Sequence, residues 1–208
     1  MMRVTMLNRP FDPDGLCARA AAICTNSPNW AKALEHALSS GHDSVAEHAS
    51  FTFRIEGVSR ALLAQITRHR IASFSVKSQR YVSMNEMPYV VPPTIRKDPA
   101  VFAKYQHLMS HINDFYNLAV ASGIPKEDAR FITPQAAFTD LIVTMNAREL
   151  RHFFSLRCCN RAQWEIRQLA DEMLALCKEN APMLFADAGP GCVRGRCPEK
   201  RPCGNPKK

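Results

Sequence analysis

Between Phe51 and Ile66 the apolar residues change their spacing from every second position to about every fourth, and a chain that does this must build both sheet and helix. Phe51, Phe53 and Ile55 alternate with Thr52 and Arg54, the period of a half-buried strand. Val58, Leu62 and Ile66 then carry a helical stripe that runs into Arg68. Trp30, Leu34 and Leu38 predict an earlier helix over 30–39, ended by Gly41. A long helix follows, with Val101, Tyr105, Leu108, Ile112, Phe115 and Ala119 on one face and Gly123 closing it. Pro125, with Glu127 and Asp128 behind it, suits the first turn of a short helix that must stop near Pro134. Residues 138–145 are rich in β-branched and aromatic side chains and read as a strand.

Two capping boxes come next. Asn146 with Glu149, and Asn160 with Gln163, mark the starts of helices over about 147–158 and 161–180, with Arg157 near their junction. Pro182 and Gly189-Pro190-Gly191 end regular structure, and the stretch from Ile71 to Pro93 reads as less regular. The expected class is α+β, with helices outnumbering strands, no internal repeat, and a single domain over residues 1–189.

At 208 residues, 46% hydrophobic and 22% charged, the chain suits one globular, soluble domain with a full core. No apolar run approaches the roughly 18 residues of a spanning helix. Met1 to Gly15 holds Arg3 and Arg9 but no apolar stretch after them, so no signal peptide is expected and the cytoplasm is the default. Thiols there stay reduced, and none of the eight cysteines forms a CxxC pair.

The net charge of +8 is concentrated at one end. Residues 190–208 carry Arg194, Arg196, Lys200, Arg201, Lys207 and Lys208 against Glu199 alone, which leaves a nearly balanced body. A small anionic substrate explains such a body as well as a polynucleotide does. This tail also holds Cys192, Cys197 and Cys203, one ligand short of a closed zinc site. Its proline, glycine and like charges predict a mobile or loosely draped segment outside the catalytic core.

The densest polar cluster is Arg68-His69-Arg70, seven residues, then Ser78-Gln79-Arg80-Tyr81. Arginine forks match phosphate oxygens in pairs, and serine hydroxyls fill the remainder, so the cluster can cradle an anion. Composition alone permits a solvated basic loop equally well. His42, Glu47 and His48 could ligate a metal but lack a third well-spaced partner, so capping or bridging is the better reading and no metal is expected. Trp164 reads as an indole packed at a helix start, and Arg157, taken alone, as a surface arginine.

Spacing then adds a resemblance. Arg68-His69-Arg70 with Ser78 looks like the signature of flavin-dependent thymidylate synthases, the ThyX family. Gly41-His42-Asp43-Ser44-Val45-Ala46-Glu47-His48 before Phe51-Thr52-Phe53 is similar to that family's segment ahead of its sheet. Asn146-Ala147-Arg148, Leu156-Arg157 and Ala162-Gln163-Trp164-Glu165-Ile166 resemble its C-terminal helices, and the likeness runs unbroken over about residues 30–185.

The resemblance implies an α+β fold with a central, mostly antiparallel sheet flanked by helices, built as a homotetramer with active sites between subunits. It implies reductive methylation of dUMP to dTMP. FAD would carry hydride, a nicotinamide (NADPH) would reduce it, and methylenetetrahydrofolate would supply the carbon. FAD would be held by side chains and loops, in keeping with the absence of a GxGxxG fingerprint. Carried over by position, Gln65, Arg68, Ser78, Gln79, Arg80 and Arg130 would contact dUMP. Arg157 would lie against its uracil as the catalytic residue. Ser44, Arg68, His69, Arg70, Asn146, Arg148 and His152 would bind FAD.

Covalent attachment of uracil to the enzyme is not implied, so Cys158 and Cys159 read as structural. Three departures stand out: Ser75-Val76 where many members carry Asn-Glu, His152 where asparagine is frequent, and Arg161 where histidine is frequent. Val76 and Arg161 keep open an inactive homologue that only binds nucleotide or flavin. A nucleic-acid-binding protein would account for the tail but not for the motif spacing.

Overall fold

In the computed structural model of the chain, the described residues are 2–82, 86–195 and 197–207; Arg196 and Lys208 of the tail lie outside them. Four strands, β1 (Arg3–Asn8), β2 (Ser50–Ser59), β3 (Ala72–Val76) and β4 (Phe138–Asn146), pair antiparallel in the order β1-β2-β4-β3. Around them lie α1 (Pro13–Thr25), α2 (Trp30–Ser39), α3 (Arg60–Ile66), α4 (Pro93–Arg96), α5 (Pro99–Ala121), α6 (Lys126–Ala129), α7 (Ala147–Arg157) and α8 (Trp164–Asn180). A 3₁₀ helix, Asp43–His48, links α2 to β2. The class is α+β, as the sequence predicts. No helix among the described residues is long and apolar enough to cross a membrane.

The strand period decides which side of the sheet is covered. Phe51, Phe53 and Ile55 of β2 and Leu141, Val143 and Met145 of β4 are buried, in one cluster with Leu150, Phe153 and Phe154 of α7 and Ile166, Leu169 and Met173 of α8. The opposite face is polar at its centre, where the Thr52 and Thr144 hydroxyls meet at 2.9 Å. A second, smaller cluster of Met87, Tyr116, Ala119, Ala129 and Ala137 packs α5 and α6 away from that core.

Several boundaries differ from the expectation, each for a local reason. β2 continues to Ser59, so Val58 belongs to the strand and the helix begins only at Arg60. Gly57 makes this possible: its φ of 67°, open to glycine at no steric cost, sits where the register shifts between Ile55 and Val58. The stretch 71–93 contains β3, whose alternation of Ala72, Phe74 and Val76 with two serines is a weak edge-strand pattern. Likewise β1 was not expected, and α1 takes up the region of Cys17 and Cys24, which reads as packed helix or its flank but without bounds in the sequence.

The first capping box forms by half. Asn146 Oδ1 accepts Glu149 N–H at 2.9 Å, but the Glu149 carboxylate turns inward to His69 instead of returning to the cap. The second does not form. α8 starts at Trp164 because Gln163 itself caps it, accepting the N–H groups of Glu165 at 3.0 Å and Ile166 at 3.1 Å. Asn160 is thereby released and donates to the Asn205 carbonyl at 2.6 Å.

That last contact belongs to the tail, which lies against the body. Arg161 donates to the Arg201 carbonyl at 2.5 Å and pairs with Glu199 at 3.5 Å. Lys207 sits 2.6 Å from both carboxylate oxygens of Asp171 on α8. Nearer the body, Arg194 donates to the Asp187 carbonyl at 3.0 Å.

Candidate active site

Two buried polar side chains and one half-buried arginine meet where α3 and α7 approach each other. His69, 4% exposed, ends the turn after α3, and its Nδ1 is 2.7 Å from Glu149 Oε1. Its Nε2 faces Arg157 Nε at 3.3 Å, and Arg157 Nη2 donates to the Gln65 carbonyl, also at 3.3 Å. An arginine N–H can only donate, so His69 Nε2 accepts and the ring proton sits on Nδ1, donated to Glu149. Burial pushes the His69 ring below its ordinary value against the opposing pull of Glu149, and Arg157 and His152 add to the depression. The ring is neutral at pH 7.

Arg157 is the last residue of α7. Burial, and then the neighbouring charge of Arg68, lower its guanidinium from the usual value, yet arginine remains a cation throughout. The geometry is therefore a fixed positive charge resting on a neutral imidazole, which a buried carboxylate orients from behind. Arg68 and Arg70 flank His69 and are exposed.

A cleft of about 980 Å³ opens beside this triad, walled by Asn146, Arg148, Glu149 and His152 at the start of α7 and by Asp43 and Glu47 of the 3₁₀ helix. Ser44 is exposed on the same 3₁₀ helix. Arg148 is ion-paired with Glu47. Arg151 pairs with Asp187 at 2.7 Å and donates to the Leu184 carbonyl at 2.6 Å. Burial would raise the Asp187 carboxyl, but Arg151 and Arg194 hold it below its ordinary value. His69, Glu149 and His152 bring potential ligand atoms within 4.8 Å of one another, a grouping that the sequence reading, occupied with His42, Glu47 and His48, did not anticipate.

The remaining expected substrate residues form a separate group. Arg80 binds Glu127 through Nε at 3.0 Å and Nη2 at 2.9 Å, and Arg130 Nε donates to the Glu127 carbonyl at 3.0 Å. The Ser78 hydroxyl accepts Arg80 N–H at 3.2 Å, and Gln79 is buried beside it in sequence. Among the described residues no hydrogen bond or ion pair joins Arg80 or Arg130 to Arg157 or His69.

Glu149 and Glu127 are the residues that sequence reasoning missed. Glu149 was legible only as a capping partner, and Glu127 only as a first-turn acid. Cys158, beside Arg157, is buried, and burial pushes its thiol far above the usual range, which suits a structural role.

Fold and site together define an α+β protein with a nucleotide-sized cleft walled by charged side chains, without a phosphate-binding glycine loop. The sequence profile described as "Thymidylate synthase complementing protein" matches residues 5–183. A flavin-dependent thymidylate synthase of Geobacter sulfurreducens is 48% identical over 95% of this chain and 91% of its own length. That of Nitratidesulfovibrio vulgaris is 53% identical over 78% of this chain and 70% of its own, and that of Pyrococcus furiosus 46% identical over 96% and 91%. The chain belongs to the family of flavin-dependent thymidylate synthases, and is an enzyme of the methyltransferase class.

Proposed function

We propose that the protein methylates dUMP reductively to dTMP, with methylenetetrahydrofolate as carbon donor, FAD as hydride carrier and NADPH as the reductant of the flavin. Family membership supports the reaction. The observation that carries the chemistry is Arg157, held half-buried on neutral His69 with Glu149 behind it.

The residues round the cleft suit a flavin dinucleotide. Its volume of about 980 Å³ lies at the upper end of ordinary ligand pockets. Asn146, spending its Oδ1 on the helix cap, keeps its amide N–H groups for a ligand, and Arg148 and His152 add donors to the same wall. Ser44, Arg68, His69 and Arg70 complete the expected flavin set. When bound, the flavin supplies the hydride that brings a one-carbon unit to the methyl level.

The protein's own part is to hold and polarise dUMP. Ser78, Gln79 and Arg80 receive its phosphate, with Arg80 exchanging Glu127 for the ligand, and Arg130 is a further contact to dUMP. Gln65 and Arg68 face the nucleoside. Arg157 stabilises negative charge that develops on the uracil imide, a preorganised donor in a partly dry site. A homotetramer with active sites between subunits would bring the phosphate group and the cleft together across chains. The departure at Ser75-Val76 lies on the edge strand β3, and that at His152 lies in the cleft wall; His152 still offers a ring N–H.

The test is direct. The purified protein should be yellow and should oxidise NADPH faster when dUMP is present. A colourless protein that gains no flavin absorbance with excess FAD refutes the reading.

A further inference from the structure

The tail contacts gather on one short turn. Residues 158–163 connect α7, which ends at Arg157, to α8, and three residues on this turn or facing it bind the tail. Asn160 takes the Asn205 carbonyl, Arg161 takes the Arg201 carbonyl and Glu199, and Asp171 takes Lys207. The Cys203 thiol donates to the same Asn205 carbonyl at 3.3 Å. The body ties both ends of the turn, through Cys158 N–H to the Phe154 carbonyl and through Gln163 at the start of α8. Among the described residues its middle has only Ala162 N–H to the Cys159 carbonyl and Arg167 to the Asn160 carbonyl, each at 2.9 Å.

Arg157 needs such support. Both of its hydrogen bonds are long, at 3.3 Å, and Arg68 repels it. Its position depends on the last turn of α7, closed by Cys158 N–H to the Phe154 carbonyl at 3.1 Å. Helix ends fray unless something outside holds them. The family profile stops at residue 183, so these tail contacts lie beyond its match.

We propose that residues 197–207 are a positioning strap: by tying Asn160, Arg161 and Asp171 they hold the turn after α7 and so set the guanidinium of Arg157 against the substrate. The strap touches no substrate itself. Its effect rests on Arg157 acting on the uracil as described above. Arg161 is the central anchor, since one guanidinium serves both a backbone carbonyl and a carboxylate of the tail. This gives the arginine at a position where histidine is frequent a partner of its own.

The experiment compares the full chain, a chain ending at Gly195, and the full-length variants Arg161→Ala and Arg161→Lys. Each is read as kcat per bound flavin and KM for dUMP, alone and combined with Arg157→Ala. Misplacing a reacting group by an ångström costs up to about 10²-fold, so a loosened turn should cost about tenfold in kcat. Truncation and Arg161→Ala should both show this loss with KM within about twofold, and Arg161→Lys should recover most of it. In the Arg157→Ala background the same changes should have no further effect, because the residue they position is gone. Unchanged kcat in both variants overturns the strap, as does a further tenfold loss in the Arg157→Ala background. Full activity of Arg157→Ala alone overturns the reading of Arg157 and the strap with it.

Discussion

The two groups of site residues stand on different foundations. His69, Glu149 and Arg157 are rooted in the main core: Phe153 stacks edge-on against His69 at 5.0 Å, and Glu149 and Leu150 share a helix face that is buried. Arg80 and Arg130 are attached to the smaller cluster, where five buried side chains are all that the described residues provide and the Arg80–Glu127 pair is half exposed. A group that must stabilise charge only as it forms needs a rigid place, since any freedom would be removed at the moment of reaction. One that grips a phosphate before, during and after the reaction can tolerate a looser one. With the roles proposed above, the difference teaches that close packing goes to the group that would face the reacting end of the substrate.

The sharpest way to break this contrast is Arg157→Ala. Loss of one preorganised donor costs about 10²–10³-fold, and turnover should fall by that much while flavin content stays near normal. Near-normal dTMP formation would remove the core-rooted group from the chemistry. Next in size is Glu149→Ala, which leaves the buried His69 Nδ1–H without its acceptor. An orphaned buried donor costs about 1–3 kcal/mol, and thermal melting should drop by several degrees along with roughly tenfold of turnover. A variant that melts with the unmodified protein would show that Glu149 is not needed to hold the ring.

Arg80→Ala probes the other foundation. KM for dUMP should rise about tenfold with kcat little changed and melting unchanged, because an exposed pair adds almost nothing to stability. A matching fall in kcat would mean that the looser group also takes part in the reaction.

The smallest effect is one of pH. His69 is depressed below the ordinary histidine value of 6.5, so the unfolded chain takes up a proton there before the folded one does as the pH falls. Stability from the neutral ring is therefore complete above about 6.5 and is lost progressively as the pH falls below it. Protonation would also turn the acceptor of Arg157 into a second cation. A few-fold loss of kcat and a lower melting temperature should accompany acidification, and both should disappear in His69→Gln. A melting temperature no more acid-sensitive below pH 6.5 than that of His69→Gln would refute the depression of His69.

What the sequence made legible follows the same division. β2 was read only as far as Ile55, whereas β4, α2, α5 and α7 have large side chains at regular intervals and were read nearly to their ends. α1 was not, because its buried face is Cys17, Ala18, Ala21 and Ala22, too small to stand out as a stripe. In β3, Ser73 and Ser75 dilute the alternation of an edge strand, and β1 buries its side chains only partly. The basic members of the candidate site were carried over through the family resemblance. Their acidic partners were not, because Glu149 lies 80 residues from His69 and Glu127 lies 47 from Arg80, and no local pattern reports such pairings. Gln163 displaced Asn160 as a cap because a side chain next to the helix start reaches two free N–H groups at once, a competition that a motif match does not weigh.

The ion pairs Arg148–Glu47 and Arg80–Glu127 bear on how the surface meets anions of different length. A stretch of RNA gains affinity by releasing counterions from bare cations along its length, and a cation that already carries a carboxylate offers little of that gain. Around the cleft Asp43, Glu47 and Asp187 are likewise paired with Arg148, Arg151 and Arg194, so among the described residues neither sign of charge is left bare on that wall. A single nucleotide can still exchange one carboxylate at a time for its own phosphate. At these two positions, such pairing would favour a single nucleotide over a long polyanion.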